Sequence, residues 1–177
     1  MDRFRILYVY GLGSSPESGS IKLLRESLPA NRYEVLSVTY PQEDCEASVR
    51  FIQEYIAEQG IDLVIGSSLG GFIVSNLECD IPRILLNPCM EPMSELPRFG
   101  IPEELAQSYR KRNDSIWNHN RSGRIYGLFA ENDEVLGDKY RRGFQEHYGD
   151  YSLIPSGHKL SPEAVPAVIE TIERMLG

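Results

Sequence analysis

The run Asp62-Leu63-Val64-Ile65-Gly66-Ser67-Ser68-Leu69-Gly70-Gly71-Phe72-Ile73-Val74 decides the fold. Leu63, Val64 and Ile65 form a short apolar run, rich in β-branched residues, of the kind that makes a fully buried parallel strand. Leu69, Phe72, Ile73 and Leu77 then recur at helical spacing. Between strand and helix there is room only for a tight reversal. Gly66-Ser67-Ser68-Leu69-Gly70 reads there as G-x-S-x-G with Ser68 at its centre. In such a nucleophile elbow the serine backbone is strained and its Oγ projects above the carboxyl edge of the sheet. A side chain two residues before or after it would collide with strand or helix, so glycine is needed at both places. The five-residue pattern alone has little specificity, and its strand-turn-helix setting is what gives it weight.

The segments around this run repeat the same alternation. Phe4 to Tyr10 reads as a first buried strand, closed by Gly11-Leu12-Gly13-Ser14-Ser15-Pro16. Ile21, Leu23, Leu24 and Leu28 mark a helix that ends at Pro29. Tyr33 to Thr39 is a second strand, and a helix runs from about Asp44 to Gln59 with Gly60 just past its end. After the elbow, Arg83 to Asn87, Ile125 to Ala130 and Tyr151 to Ile154 read as three more strands. Tyr140, Phe144 and Tyr148 lie on one helix, and Ala164 to Leu176 form a closing amphipathic one. Six strand runs alternating with helices specify an α/β fold with a parallel sheet covered on both faces.

The chain of 177 residues, 41% of them hydrophobic, suits one domain over residues 1–177. Residues 89–123 are an insertion between the fourth and fifth strands, carrying Pro92, Pro97 and Pro102 and a helix from Pro102 to Arg112. Its apolar side chains, among them Phe99, Leu105, Tyr109, Ile116 and Trp117, suit either a lid over the site or an extra core layer. A net charge of −8 argues against nucleic acid or an anionic membrane as partner, leaving a small-molecule substrate. Oligomeric state is not encoded in any legible feature. Cys45, Cys79 and Cys89 have no metal-ligand spacing, and three thiols suit a reducing compartment. With no signal-peptide core and no run long enough to span a bilayer, the expected location is cytoplasmic.

A serine hydroxyl needs a base to become a nucleophile. Of three histidines, His147 lies in a helix pattern and His119 in the insertion, whereas His158 follows the last strand in Pro155-Ser156-Gly157-His158. A loop there places His158 beside Ser68. An imidazole that takes a proton needs a carboxylate behind it. Glu131, Asp133 and Glu134 all follow the fifth strand, and Asp133 is the best placed, with Val135 and Leu136 behind it; Glu131 is the runner-up. The order Ser68, Asp133, His158 is that of α/β-hydrolases. The oxyanion formed during attack calls for two backbone donors, assigned to Leu69 N–H after the nucleophile and to Leu12 N–H in the glycine loop. A dinucleotide loop at Gly11-x-Gly13 fails, because Pro16 stands at the third glycine position.

These residues resemble the small YqiA-type esterases of the α/β-hydrolase superfamily. The likeness runs through Gly11 to Pro16, Ile65 to Gly71, Leu86-Asn87-Pro88, Asp133 to Leu136 and Gly157-His158. It implies a compact hydrolase lacking the first two strands of larger relatives, with Ser68, Asp133 and His158 as triad and activity on short acyl esters. Tyr10 departs from the pattern, standing where the family usually has histidine, so the oxyanion loop must be supported differently. The expected chemistry is hydrolysis of an acyl ester or thioester through an acyl-enzyme, with no metal or organic cofactor. Two alternatives stay open: a binding protein that keeps the fold without catalysis, and an acyltransferase using the same acyl-enzyme.

Overall fold

Phe4–Val9 (β1) is buried without interruption from Ile6 to Val9, as are Leu63–Ser67 (β3) up to Gly66 and Arg83–Leu86 (β4) throughout. Neighbouring side chains on a strand point to opposite faces, so unbroken burial requires both faces of the sheet to be covered. The computed structural model, which describes residues 3–117 and 124–177, shows this arrangement. Tyr33–Leu36 (β2), Ile125–Ala130 (β5) and Tyr151–Ile154 (β6) complete a six-stranded, all-parallel sheet in the order β2-β1-β3-β4-β5-β6. The chain steps outward from β1 to β2, then crosses back to β3 and continues the other way. The loops after β1 and β3 therefore part company at the carboxyl edge, which is where such sheets open a crevice.

Gly19–Ser27 (α1) buries Ile21 and Leu24. In Cys45–Gln59 (α2), Asp44 caps the first turn by accepting the Ala47 N–H (2.9 Å), and Gly60 closes the last at φ 60°. Leu69–Ser75 (α3) is buried on every side, between the sheet and α2. Arg141–Tyr148 (α7, after three short helices of the insertion) packs on β5 and β6, and Val165–Leu176 (α8) on β3 and β4. Each fully buried Leu or Ile in this core contributes about 1.5–3 kcal/mol, so the sheet and its covering helices carry most of the stability.

Two elements differ from the sequence expectation. The second strand stops at Leu36 rather than Thr39, because Ser37 donates its hydroxyl to the Tyr8 carbonyl (2.7 Å) and a side chain replaces the ladder there. The insertion folds as Pro92–Glu95 (α4), a 3₁₀ turn Leu96–Phe99, Glu103–Ala106 (α5), a 3₁₀ turn Gln107–Tyr109 and Arg110–Asn113 (α6). The expected Pro102–Arg112 helix is thus interrupted where Ser108 and Tyr109 turn to the β2–α2 loop. Tyr109 donates its hydroxyl to the Gln42 carbonyl, and Ser108 Oγ bridges the Glu43 carbonyl and the Cys45 N–H, each at 3.3 Å. Arg112 makes a two-pronged pair with Glu46 (2.8 and 2.8 Å). On its other side, the buried carboxylate of Glu95 meets Lys139 and the Tyr140 hydroxyl. Leu96, Tyr109 and Ile116 join the core, whereas Phe99 and Leu105 are largely exposed.

Burial pushes the thiols of Cys45 and Cys89 up to about 12, so both are unreactive; Cys79 is half-buried. His147 is exposed beside Trp117, and His119 lies outside the described residues. Among the described residues no helix is long and apolar enough to cross a membrane, and no group of three or more His, Cys, Asp or Glu side chains is arranged to hold a metal ion.

Candidate active site

Ser68 occupies the elbow between β3 and α3 at φ 53°, ψ −120°. Positive φ in a residue with a side chain costs on the order of 1–3 kcal/mol, and it persists only when the surroundings over-determine it. Here they do. Ser68 N–H donates to the Leu86 carbonyl (3.1 Å), and the Ser68 carbonyl accepts from Gly71 and Cys89 N–H, both at 2.9 Å. A Cβ on Gly66 would come within 2.6 Å of the Gly70 carbonyl oxygen, and one on Gly70 within 2.1 Å of the Val9 carbonyl oxygen. The glycines on either side of Ser68 are thus demanded by the helix behind and by β1 in front.

Asp133 and His158 lie together beyond the ends of β5 and β6. Nδ1 of His158 is 3.0 Å from each carboxylate oxygen of Asp133, and the two side chains are 13% and 3% exposed. Asp133 Oδ1 also accepts the Val135 and Leu136 N–H groups, both at 2.9 Å. Burial alone would raise the Asp133 pKa. The bonds from His158, Leu136 and Val135, with the attraction of the imidazole, outweigh it and hold the carboxyl below its ordinary value. Asp133 is therefore a carboxylate whose orientation is fixed from three directions.

The neighbouring acids divide. Glu134 is not merely a solvated loop acid: its carboxylate accepts the His158 backbone N–H at 2.9 Å, and that bond lowers its pKa. Glu131 is exposed, its backbone N–H bonded to the Ile154 carbonyl (2.9 Å). Asn87, which follows β4, joins the elements that carry the pair. Its Oδ1 accepts the Ala130 N–H at 2.6 Å, while Nδ2 donates to the carbonyls of His158 (3.0 Å) and Gly157 (3.3 Å).

Ser68 and His158 line one cavity of about 760 Å³ over the carboxyl edge of β1 and β3. Its walls come from the loop after β1, the start of α1, Phe99 and Ile101 of the insertion, Val135, and Lys159 and Leu160. Among the described residues no hydrogen bond joins Ser68 Oγ to His158. Gly11 lies so close that a Cβ there would be 2.9 Å from Ser68 Cβ. Leu12 is on the cavity wall and Leu69 begins α3. Among the described residues neither Leu12 N–H nor Leu69 N–H has a hydrogen-bond acceptor, so both can serve an incoming oxygen. The loop holding Leu12 is gripped by Gln42, through Nε2 to the Gly11 carbonyl (2.8 Å) and Oε1 from the Gly13 N–H (3.2 Å).

Reading the sequence alone misses three of these participants. In the sequence Asn87 is marked only by the pair Asn87-Pro88, Glu134 reads as a solvated loop acid beside Asp133, and Gln42 carries no signal.

A family model for the uncharacterised protein family UPF0227 matches residues 5–160. No match was found among curated proteins. Solved structures share the fold at low identity. Est1E from Butyrivibrio proteoclasticus is 16% identical with a TM-score of 0.74, the match covering 97% of this chain and 86% of that one. The esterase domain of a Rhodothermus marinus protein is 15% identical with a TM-score of 0.73, covering 98% and 88%. TT1662 from Thermus thermophilus is 17% identical with a TM-score of 0.71, covering 98% and 89%. The sheet and its helices thus form an α/β-hydrolase fold.

Proposed function

The chain belongs to the UPF0227 family, the YqiA-like family that its motifs resemble, and we propose that it is a serine hydrolase of small acyl esters or thioesters. One observation carries the reading: His158 is bonded through Nδ1 to a buried carboxylate and lines the same cavity as the strained Ser68. With Nδ1–H committed to Asp133, Nε2 is the nitrogen free to take a proton. A serine–histidine contact of this kind is commonly long until substrate fills the site.

Ser68 Oγ attacks the acyl carbon as its proton passes to His158 Nε2, and the carbonyl oxygen becomes an oxyanion facing the N–H groups of Leu12 and Leu69. Collapse expels the alcohol or thiol, which takes the proton from His158, and leaves an acyl group on Ser68. Water then attacks with His158 again as base, releasing the acid and restoring the serine. The esterase domain of the Rhodothermus marinus protein, a neighbour by fold, supports this reading.

The test pairs a fluorophosphonate probe with a panel of acyl esters and thioesters of graded chain length. Labelling at Ser68, and loss of nearly all turnover in Ser68→Ala, on the order of a millionfold, are expected. A folded wild type that neither labels nor hydrolyses any member of the panel would overturn the proposal.

A further inference from the structure

We infer that Gln42 is the positioning residue of the oxyanion loop; this rests on the hydrolase reading above. The peptide unit between Gly11 and Leu12 is planar and trans, so its C=O and N–H point in opposite directions. Whatever fixes the Gly11 carbonyl therefore aims the Leu12 N–H.

Gln42 fixes it. Its Nε2 donates to the Gly11 carbonyl (2.8 Å) and to the Tyr40 hydroxyl (3.0 Å), while its Oε1 accepts from the Gly13 N–H (3.2 Å). One side-chain amide thus spans both peptides that flank Leu12. The hydrogen-bond pattern fixes which end is nitrogen, since a carbonyl needs the donor and an N–H needs the acceptor. The same Gly11 carbonyl accepts the Ser14 N–H (3.2 Å), closing a turn whose third residue, Gly13, sits at φ 67°. With Leu12 at negative φ this is a type II turn, which needs the positive φ that Gly13 supplies.

The amide is held in its turn. The Tyr40 hydroxyl donates to the Tyr10 carbonyl (2.6 Å), and the two tyrosine rings pack 5.2 Å apart. From the other side, the insertion's Tyr109 donates to the Gln42 backbone carbonyl. The loop after β2 is therefore clamped between β1 and the insertion, and Gln42 passes that rigidity to the Leu12 peptide.

The experiment compares Gln42→Met, which keeps the volume without hydrogen bonds, and Gln42→Glu, which keeps the acceptor but sets an oxygen against the Gly11 carbonyl. Misaiming one oxyanion donor costs about 10- to 100-fold in rate. Both variants should lose kcat by that factor, with KM within about threefold of wild type. Affinity for a trifluoromethyl ketone, whose adduct with Ser68 bears the oxyanion, should fall in step with kcat/KM. Unfolding midpoints should stay near wild type. A loss confined to KM, or trifluoromethyl ketone affinity left unchanged, overturns the inference. Amide hydrogen exchange separates it from the underlying reading: the Gly13 N–H should be protected in wild type and exposed in Gln42→Met. Equal exchange in both overturns the clamp whatever the activity. A clamp that is present in a protein which neither labels at Ser68 nor hydrolyses esters overturns its role in catalysis through failure of the hydrolase reading.

Discussion

Asn87 and His158 are joined by a hydrogen bond from the buried asparagine's Nδ2 to the histidine backbone carbonyl, 3.0 Å long and partly buried. The other end of the same amide accepts the Ala130 N–H at 2.6 Å, at the last residue of the strand that leads to Asp133. One side chain thus ties the carboxylate's strand to the imidazole's loop. The backbone of Asn87 sits at φ 44°, a conformation asparagine tolerates better than most residues with a side chain.

Replacing Asn87 by Ala strands the buried Ala130 N–H and the partly buried carbonyls of Gly157 and His158, and puts at φ 44° a residue that tolerates it less well than asparagine. Unsatisfied buried groups cost about 1–3 kcal/mol each, so a loss of roughly 3 kcal/mol is expected. In a chain of this size that lowers the melting temperature by about 6–12 °C. Denaturant titration should show a lower midpoint at unchanged slope. Ester turnover should fall as well, because the two side chains it aligns lose their common anchor.

Glu134 gives a contrast. Its carboxylate is exposed yet accepts the His158 N–H. Glu134→Ala should leave the melting temperature within a degree or two, while kcat drops about 3- to 10-fold through looser placement of the imidazole. Glu131→Ala, made as a control, should change neither quantity. Equal behaviour of the two variants would show that the Glu134 contact does nothing for turnover.

The elbow glycines are predicted to be intolerant for separate reasons. A methyl on Gly70 would press on the Val9 carbonyl oxygen at 2.1 Å, and backbone cannot step aside as a side chain tip can. Gly70→Ala should cost more than about 3 kcal/mol and yield little folded protein. Gly13→Ala meets nothing within 4 Å but sits at φ 67°. It should fold with a penalty of about 1 kcal/mol and a reduced kcat, since Leu12 lies in the same turn. Circular dichroism and ester turnover on both variants check this.

That contrast also shows which parts of the molecule the sequence makes legible. The elbow could be read because its glycine requirement is steric and local, written within five residues. Asp133 and His158 could be read because strand ends in a parallel sheet share one edge, so topology brings together side chains 25 positions apart. Gln42 could not: its partners lie about 30 positions away in another loop, and a loop amide follows no period. The break at Ser108 and Tyr109 is illegible for the same reason, since the local propensity signals favour an unbroken helix and contacts with the β2–α2 loop override them.

Asp133 supplies a pH test whose sign follows from its environment. Its folded-state pKa is held below the ordinary carboxylate value, which in an unfolded chain is about 3.9. The folded protein therefore binds this proton less readily than the unfolded one. The carboxylate's contribution to stability is fully present above the unfolded pKa, and it is lost as pH falls from there through the lower folded value. Asp133→Asn lacks this titration. At pH 6 to 7 wild type should be the more stable of the two, and the gap should close progressively below about pH 4. The asparagine variant should also lose roughly four orders of magnitude in kcat, because an amide facing Nδ1 no longer selects the tautomer with Nε2 free. Melting curves of both proteins between pH 3 and 7 provide the check. A gap that stayed constant down to pH 3 would mean that the carboxylate's ties to His158, Val135 and Leu136 add nothing to stability.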